Sequence, residues 1–339
     1  MRSLTRAGCA IGASMLALAL ATACSSGSGT ASTNAGAKTV TPKNIQFVVD
    51  TGPGGGSDLF ARQLIKVAQG DKLISSAWPI VSQPAGGGLG AMAFLKGKAS
   101  NQSYISAFTS KWIIAGLSTA NAPATLKDLT PIAELADETQ VIAARADAPY
   151  NTMSEFIEAA KAKPGSLVQT GGSVTSVDDL VALQIEKQTG ASWKYLSFSD
   201  GGPRITALLR GDAQIDIGAE GDFHDQIAAG KLKLIGVFGD SRLPGYPNVQ
   251  TMTEQNVPLG ELPEQLQFRG IAGPPNMPPA AIAYYQAILD KLVVSPDWLA
   301  YLKSEGLTSR YVKGDELTKL LSGFTDAVTP LTANLPKSG

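Results

Sequence analysis

Two hydrophobic periods alternate along this chain. Residues 44–50 (NIQFVVD) form a β-branched and aromatic run that predicts a short strand. The run ends in TGPGGGS, and apolar residues at 59, 60, 64, 67 and 68 then mark one helical face across 58–69. A second strand is predicted at 78–83, followed by the glycine loop PAGGGLG, a helical segment at 91–96 and a third strand at 104–108. The unit then recurs. A strand at 141–145 precedes a helix at 153–162, stopped by Pro164-Gly165; a strand at 167–170 runs into GGSVTS and a helix at 177–189. A strand at 193–198, the turn SDGGP and a helix at 204–210 come next, then strands at 215–217 and 232–237. A proline-rich irregular stretch covers 242–270, and helices are expected at 279–292 and 315–329. Strands alternating with helices predict parallel α/β layers. The pattern fits two lobes whose loops gather at the carboxyl ends of the strands, where open α/β sheets take ligands. The chain is expected to cross between lobes near residue 143 and to return within 240–270.

The first residues depart from this pattern. Arg2 and Arg6 precede an apolar stretch, 7–20, that is too short to span a bilayer, and the small residues 21–23 lead directly to Cys24. This is the layout of a secretory signal peptide. A cysteine directly after the small residues resembles a bacterial lipobox, with Ala21 where Leu is more usual. The expected division is a signal peptide at 1–23, a lipidated Cys24 with a flexible tether at 24–43, lobe 1 at 44–143, lobe 2 at 144–260, and a return to lobe 1 at 261–339. Acyl chains on Cys24 would anchor the protein outside the cytoplasm on the bacterial cell membrane, each buried CH₂ adding about 0.8 kcal/mol. Cys9 leaves with the signal, so the mature domain relies on its core without a disulfide.

Composition removes several function classes. Twenty-eight Lys and Arg stand against 29 Asp and Glu, so the basic excess of a nucleic-acid binder is missing. One histidine, His224, and two cysteines cannot build a His-rich zinc site, a haem attachment motif or an iron–sulfur cluster, and neither metal nor cofactor is expected. The chain has no G-x-x-x-x-G-K-[ST] and no G-x-S-x-G, and neither glycine loop completes G-x-G-x-x-G. His224 reads as a surface helix residue. The acid pairs Asp178-Asp179 and Glu220/Asp222 fall at helix starts, where acids are favoured without any catalytic role. The tryptophans read as core, with Trp112, beside Thr109 and Ser110, the one candidate for a cleft wall. An enzyme is therefore not expected.

The glycine loops hold the candidate chemistry. In Pro53-Gly54-Gly55-Gly56-Ser57-Asp58, glycine lets the backbone approach a ligand, and the N–H groups opening the helix carry partial positive charge suited to a carboxylate or phosphate. Gly86 and Gly87 of the second loop, and Gly172 of the third, offer further donors. Singly, such loops are as readily tight turns; together they point to an anion site. Asp58 would repel an anion it faced. It reads as a helix-start acid with Arg62 at i+4, or as a contact for a ligand hydroxyl or amine.

PGGGSDLFAR resembles the first loop and helix of the extracytoplasmic receptors of tripartite tricarboxylate transporters, the Bug family. LKDLTPIAEL, TMSEFIEAAKAKPGSL, GGPRITALLRGDAQIDIG, IAAGKLKLIGV, SRLPGYPNVQTMTEQNVP and FRGIAGPPNMPPAAI resemble later segments of that family, in order, across about residues 44–339. The resemblance implies an α/β, two-lobed periplasmic-binding-protein-like (type II) fold with an interlobe ligand cleft. It implies a monomeric receptor that clamps a small carboxylate (a di- or tricarboxylate or an amino acid) and delivers it to membrane permease subunits. Carried over by position, the ligand-binding residues are Gly54, Gly55, Gly56, Ser57 and Asp58, with Gly172, Ser173, Thr175 and Ser176 in the second lobe. Gly86, Gly87, Thr109 and Ser199 complete the candidate set. The chain departs from the family at Thr51-Gly52, at 100–104, at Asp179 where a histidine is common, and at 197–201 where Pro-Tyr-Lys-Gly is frequent. A lost basic residue and a gained Asp200 favour a less anionic ligand, or one bearing an amine or hydroxyl. Two other readings remain at this level: a receptor of the same fold that reports to a sensor, and a secreted α/β hydrolase, against which the missing nucleophile–base set argues.

Overall fold

The computed structural model describes residues 41–172, 176–198, 201–263 and 265–333, all within one compact unit. The expected signal peptide, Cys24 and most of the tether lie outside these residues, as do Ser173, Thr175 and Ser199.

The first lobe opens with β1 (Gln46–Val49), α1 (Gly56–Gly70), β2 (Ile80–Ser82), α2 (Leu89–Lys96), β3 (Tyr104–Thr109), α3 (Ser110–Ser118) and β4 (Thr130–Glu138). The second lobe holds β5 (Gln140–Arg145), α4 (Met153–Ala162), β6 (Val168–Gly171), α5 (Val177–Thr189), β7 (Lys194–Ser197), α6 (Gly201–Arg210), β8 (Ile215–Ala219), α7 (Glu220–Ala228) and β9 (Leu232–Val237). The chain then returns through β10 (Phe268–Gly273), α8 (Pro279–Leu292), α9 (Pro296–Ser304), β11 (Leu307–Val312) and α10 (Gly314–Thr332).

Two sheets result, ordered β11-β4-β10-β3-β1-β2 and β7-β6-β8-β5-β9. Neither is purely parallel, contrary to the alternation read from the sequence. β1, β2 and β3 pair in parallel, as do β6, β7 and β8, through helical crossovers. β10 runs antiparallel to β3 and β4, and β5 antiparallel to β8 and β9. β5 and β10 are the strands by which the chain enters each lobe from the other, and each runs opposite to both of its sheet neighbours. The step between sheets falls at Thr139, so the expected crossing near residue 143 lies inside β5. The crossing is clamped on both sides. Glu138 N–H donates to the Gln267 carbonyl at 2.9 Å, and Phe238 N–H donates to the Gln140 carbonyl at 2.9 Å.

One face of the first sheet packs under α1, α8 and α9, with Phe47, Phe60 and Trp298 fully buried. Its other face carries α2, α3 and α10. There the core runs without interruption from Trp112 and Phe324 to Val177, Leu180 and Val181 of α5 in the second lobe. The outer face of the second sheet has its own smaller cluster around Leu208 and Phe223. No helix among the described residues is long and apolar enough to cross a membrane.

A cleft between the lobes lined by three helix starts

The loop after β1 is fixed from beneath by one carboxylate. Asp50 is buried and accepts hydrogen bonds from Ser57 Oγ at 2.5 Å and Trp112 Nε1 at 2.9 Å, with Lys111 Nζ also at 2.9 Å. Burial alone would push its carboxyl up; Lys111, Ser57 and Trp112 outweigh that and hold it below its ordinary value. Gly54 stands at φ +82°, a conformation that glycine adopts without steric cost. Its N–H donates to Asp58 Oδ2 at 2.9 Å, and Arg62 Nε reaches the same oxygen at 2.8 Å. Arg62 is the main cause of the lowered Asp58 carboxyl, as the i+4 spacing foretells. The Ser57 hydroxyl and the Asp58 carboxylate are thus spent inside the loop. The Asp58 N–H goes to Thr51 Oγ1 at 3.2 Å. The opening N–H groups of a helix have no intrahelical acceptor, which leaves those of Gly56 and Ser57 for a ligand.

Gly54, Gly55 and Gly56 line a cleft of about 450 Å³ together with Thr51, Pro53, Leu59, Arg269, Tyr301, Glu305 and Leu307 of the same lobe. Its opposite wall comes from the second lobe: Gly201 and Gly202 opening α6, then Ala219, Gly221 and Asp222 opening α7. Three helices, of 15, 10 and 9 residues, therefore begin on one cavity. Their dipoles add in sign, each placing roughly half a positive charge at its start.

The cleft's guanidinium groups are already matched. Arg269 Nε lies 2.6 Å from Glu138 Oε2, and its plane covers Phe60 at 5.7 Å. Burial works against the charge on Arg269, and Glu138 more than restores it. An added Cβ on Gly56 would stand 3.5 Å from Arg269 Nη1. Behind the second wall, Arg204 sits 3.1 Å from Asp216 Oδ2 and 2.5 Å from Asp222 Oδ2. Asp216 is completely buried in β8, and burial drives its carboxyl well above its ordinary value despite Arg204.

The other sequence candidates lie elsewhere. Gly86 and Gly87 belong to a single 3₁₀ turn, Gly86–Gly88, with φ values of +56° and +64°. That turn packs on Trp112: a Cβ at Gly88 would fall 2.4 Å from the indole Cδ1. Trp112 itself is fully buried and forms no part of the cleft wall. Thr109 is buried at the end of β3, opposite Arg269 in register. Gly172 donates its N–H to Asp178, and Ser176 Oγ lies 3.2 Å from the Tyr195 hydroxyl, which in turn meets Asp178 at 3.0 Å. His224 is an exposed helix residue, 3.4 Å from Glu220. The cleft residues outside the sequence-based candidate set are Thr51, Pro53, Leu59, Gly201, Gly202, Ala219, Gly221, Asp222, Arg269, Tyr301, Glu305 and Leu307. SDGGP and the acids at 220 and 222 marked helix starts, but nothing local said that both starts face the first glycine loop. Among the described residues no group of His, Cys, Asp or Glu is placed to hold a metal ion.

Two lobes facing each other across a cleft lined by helix starts give the arrangement of a solute-binding receptor. Residues 78–332 match the Tripartite tricarboxylate transporter family receptor, and the chain belongs to that family. The family is one of extracytoplasmic solute-binding receptors and not of enzymes. Over 305 residues the chain is 25% identical to a UPF0065 protein of Bordetella pertussis, covering 89% of this chain and 92% of that one. Its fold is similar to a TctC solute binding protein from Polaromonas (TM-score 0.65, 24% identity, 86% and 98% of the two chains). It is also similar to MatC from Rhodopseudomonas palustris with bound malate (TM-score 0.71, 19% identity, 85% and 98%).

Proposed function

We propose that this chain captures a small organic carboxylate between its lobes, outside the cytoplasm, and delivers it to the permease subunits of a tripartite tricarboxylate-type transporter. The observation that carries the reading is the convergence of α1, α6 and α7 on one cleft. A carboxylate there accepts from backbone N–H groups with no side-chain cation required, and each charge-assisted bond contributes about 1.5–3 kcal/mol. Malate in MatC is a ligand of this chemical kind. Closure proceeds about the paired crossings at Thr139 and Gln267, bringing Gly201 and Gly202 towards Gly55 and Gly56. Before capture, Cys24 is lipidated and holds the receptor at the membrane as a monomer, with residues 25–43 giving it reach.

The test is a thermal-shift screen with mono-, di- and tricarboxylates and amino acids. A ligand at a hundred times its Kd stabilises the folded state by about 2.7 kcal/mol, so a binder raises the melting temperature by several degrees. If no carboxylate raises it, the receptor is not one for carboxylates.

A further inference from the structure

A second cavity, of about 380 Å³, opens on the first lobe between α3, α10 and the start of β4. Its volume is in the range of small-molecule sites. It lies at the other end of the sheet from the cleft: Leu129 and Pro131 mark where β4 begins, whereas Glu138, where β4 ends, holds the cleft residue Arg269. Ile113, Leu117, Leu126, Leu129 and Leu321 supply its apolar surface.

Four hydroxyls also line this cavity, and each is already spent. Thr125 Oγ1 donates to Asp128 Oδ2 at 3.1 Å, and Thr318 Oγ1 to the Gly314 carbonyl at 3.2 Å. Ser322 Oγ donates to the Lys319 carbonyl at 3.0 Å, and Thr325 Oγ1 to the Leu321 carbonyl at 2.6 Å. A water held in a buried site needs about two to four polar partners, and hydroxyls turned to their own backbone offer few. Such a wall suits a hydrocarbon chain.

One charge stands on that wall. Lys127 is exposed, in the short 3₁₀ turn Leu126–Asp128. The acid beside it does not balance it, because Asp128 accepts from the Thr125 N–H at 2.8 Å and pairs with Lys96 at 3.2 Å. No acid lines the cavity, and Lys127 forms no ion pair among the described residues. An apolar cavity with one free ammonium at its rim is complementary to an amphiphile with an anionic head.

We propose that this cavity binds the anion of a medium-chain fatty acid, with its tail against α3 and α10 and its carboxylate against Lys127. The site goes beyond the receptor reading and does not depend on it, since none of its walls belongs to the cleft. The space equals roughly a dozen water volumes of about 30 Å³ each, so an unbranched chain of roughly ten carbons fills it.

The experiment is calorimetry on the full chain carrying Cys24→Ser, handled without detergent because detergent tails would compete for the cavity. Hexanoate, octanoate and decanoate are titrated, with decyltrimethylammonium as the matched cation. Each further CH₂ that is buried strengthens binding about fourfold. Decanoate should therefore bind at least tenfold more tightly than hexanoate, and at least fivefold more tightly than decyltrimethylammonium. Lys127→Gln should weaken decanoate at least threefold and leave decyltrimethylammonium no weaker. Ser322→Phe and Thr318→Phe, both at exposed positions of α10, each put a ring into the cavity and should remove the gain from hexanoate to decanoate. Decanoate is itself a carboxylate, so a gain that survives in either variant with a normal melting temperature would put the tail elsewhere and overturn the proposal. Equal affinity for hexanoate and decanoate would overturn it as well. So would Lys127-dependent attachment to anionic phospholipid vesicles without heat from decanoate, which would make this face a membrane contact.

Discussion

One buried carboxylate, Asp50, ties the first glycine loop to the floor of its lobe. Replacing it with Asn keeps the shape but removes the charge facing Lys111, whose side chain is 25% exposed. Breaking a fully buried pair costs about 3–5 kcal/mol; because Lys111 keeps some water, Asp50→Asn should cost about 2–3 kcal/mol in urea unfolding. Asp179, in the first turn of α5, behaves in the opposite sense. Burial, then Asp178 and Glu186, raise its carboxyl from 3.8 to about 7. Between these values the folded protein holds a proton that the unfolded chain has released, so its contribution falls as pH rises through that window and stays lost above it. Asn cannot lose that proton. Asp179→Asn should therefore be more stable than the wild type at pH 8, by an amount on the order of 1 kcal/mol. The advantage should vanish near pH 4. Urea midpoints at the two pH values decide it; an equal advantage at both would remove the titration argument. At this scale the sequence was partly legible. The i,i+4 pairing of Asp58 with Arg62 follows from spacing alone, and it is present at 2.8 Å. The inward turn of Ser57 was not legible, because its partner Asp50 belongs to the preceding strand and is itself fixed by Trp112 and Lys111.

Among the elements, strand–glycine loop–helix units were readable because their signals are local: a β-branched run, a loop that needs close approach, and a 3.6-residue apolar stripe. The predicted helices at 153–162, 177–189 and 279–292 stand at those residues. β4 was missed because Glu134 and Glu138 interrupt its apolar pattern, although both are buried in the sheet. Glu134 is held there by Gln265 Nε2 at 2.6 Å, a partner far along the chain. The elements α9 and β11 were missed because they alternate too briefly to show a period. Helix starts can be tested one at a time. Gly201 has nothing within 4 Å of where a Cβ would stand, its backbone is helical, and the residue after it is not proline, so Val there fits without strain. Gly201→Val should leave the melting temperature within about 2 °C of wild type. It should weaken carboxylate binding at least tenfold, the loss of about one charge-assisted bond at 1.4 kcal/mol per decade. Unchanged affinity in a normally melting variant would take α6 out of the site.

For the whole molecule, lobe order was legible and lobe contact was not. The ordered segments set the sequence of the lobes but put the first crossing near residue 143, inside β5 rather than at Thr139, and the juxtaposition of Gly221 with Glu305 depends on how two sheets pack. The proposed attachment to the membrane is separable from the cleft. Cys24→Ser should move the protein from the membrane fraction to the soluble extracytoplasmic fraction while binding stays unchanged, since the cleft-lining residues begin at Thr51. Equal membrane retention of the variant would refute the anchor.

Backbone amide spectra of the ¹⁵N-labelled protein, titrated with a carboxylate that raises its melting temperature, test the central claim most directly. In the proposed complex one carboxylate is held where three helices begin. The amides of Gly55, Gly56 and Ser57, of Gly201 and Gly202, and of Gly221 and Asp222 should shift together and saturate at one Kd. Saturable binding that leaves these amides unmoved, with shifts confined to another part of either lobe, would contradict it.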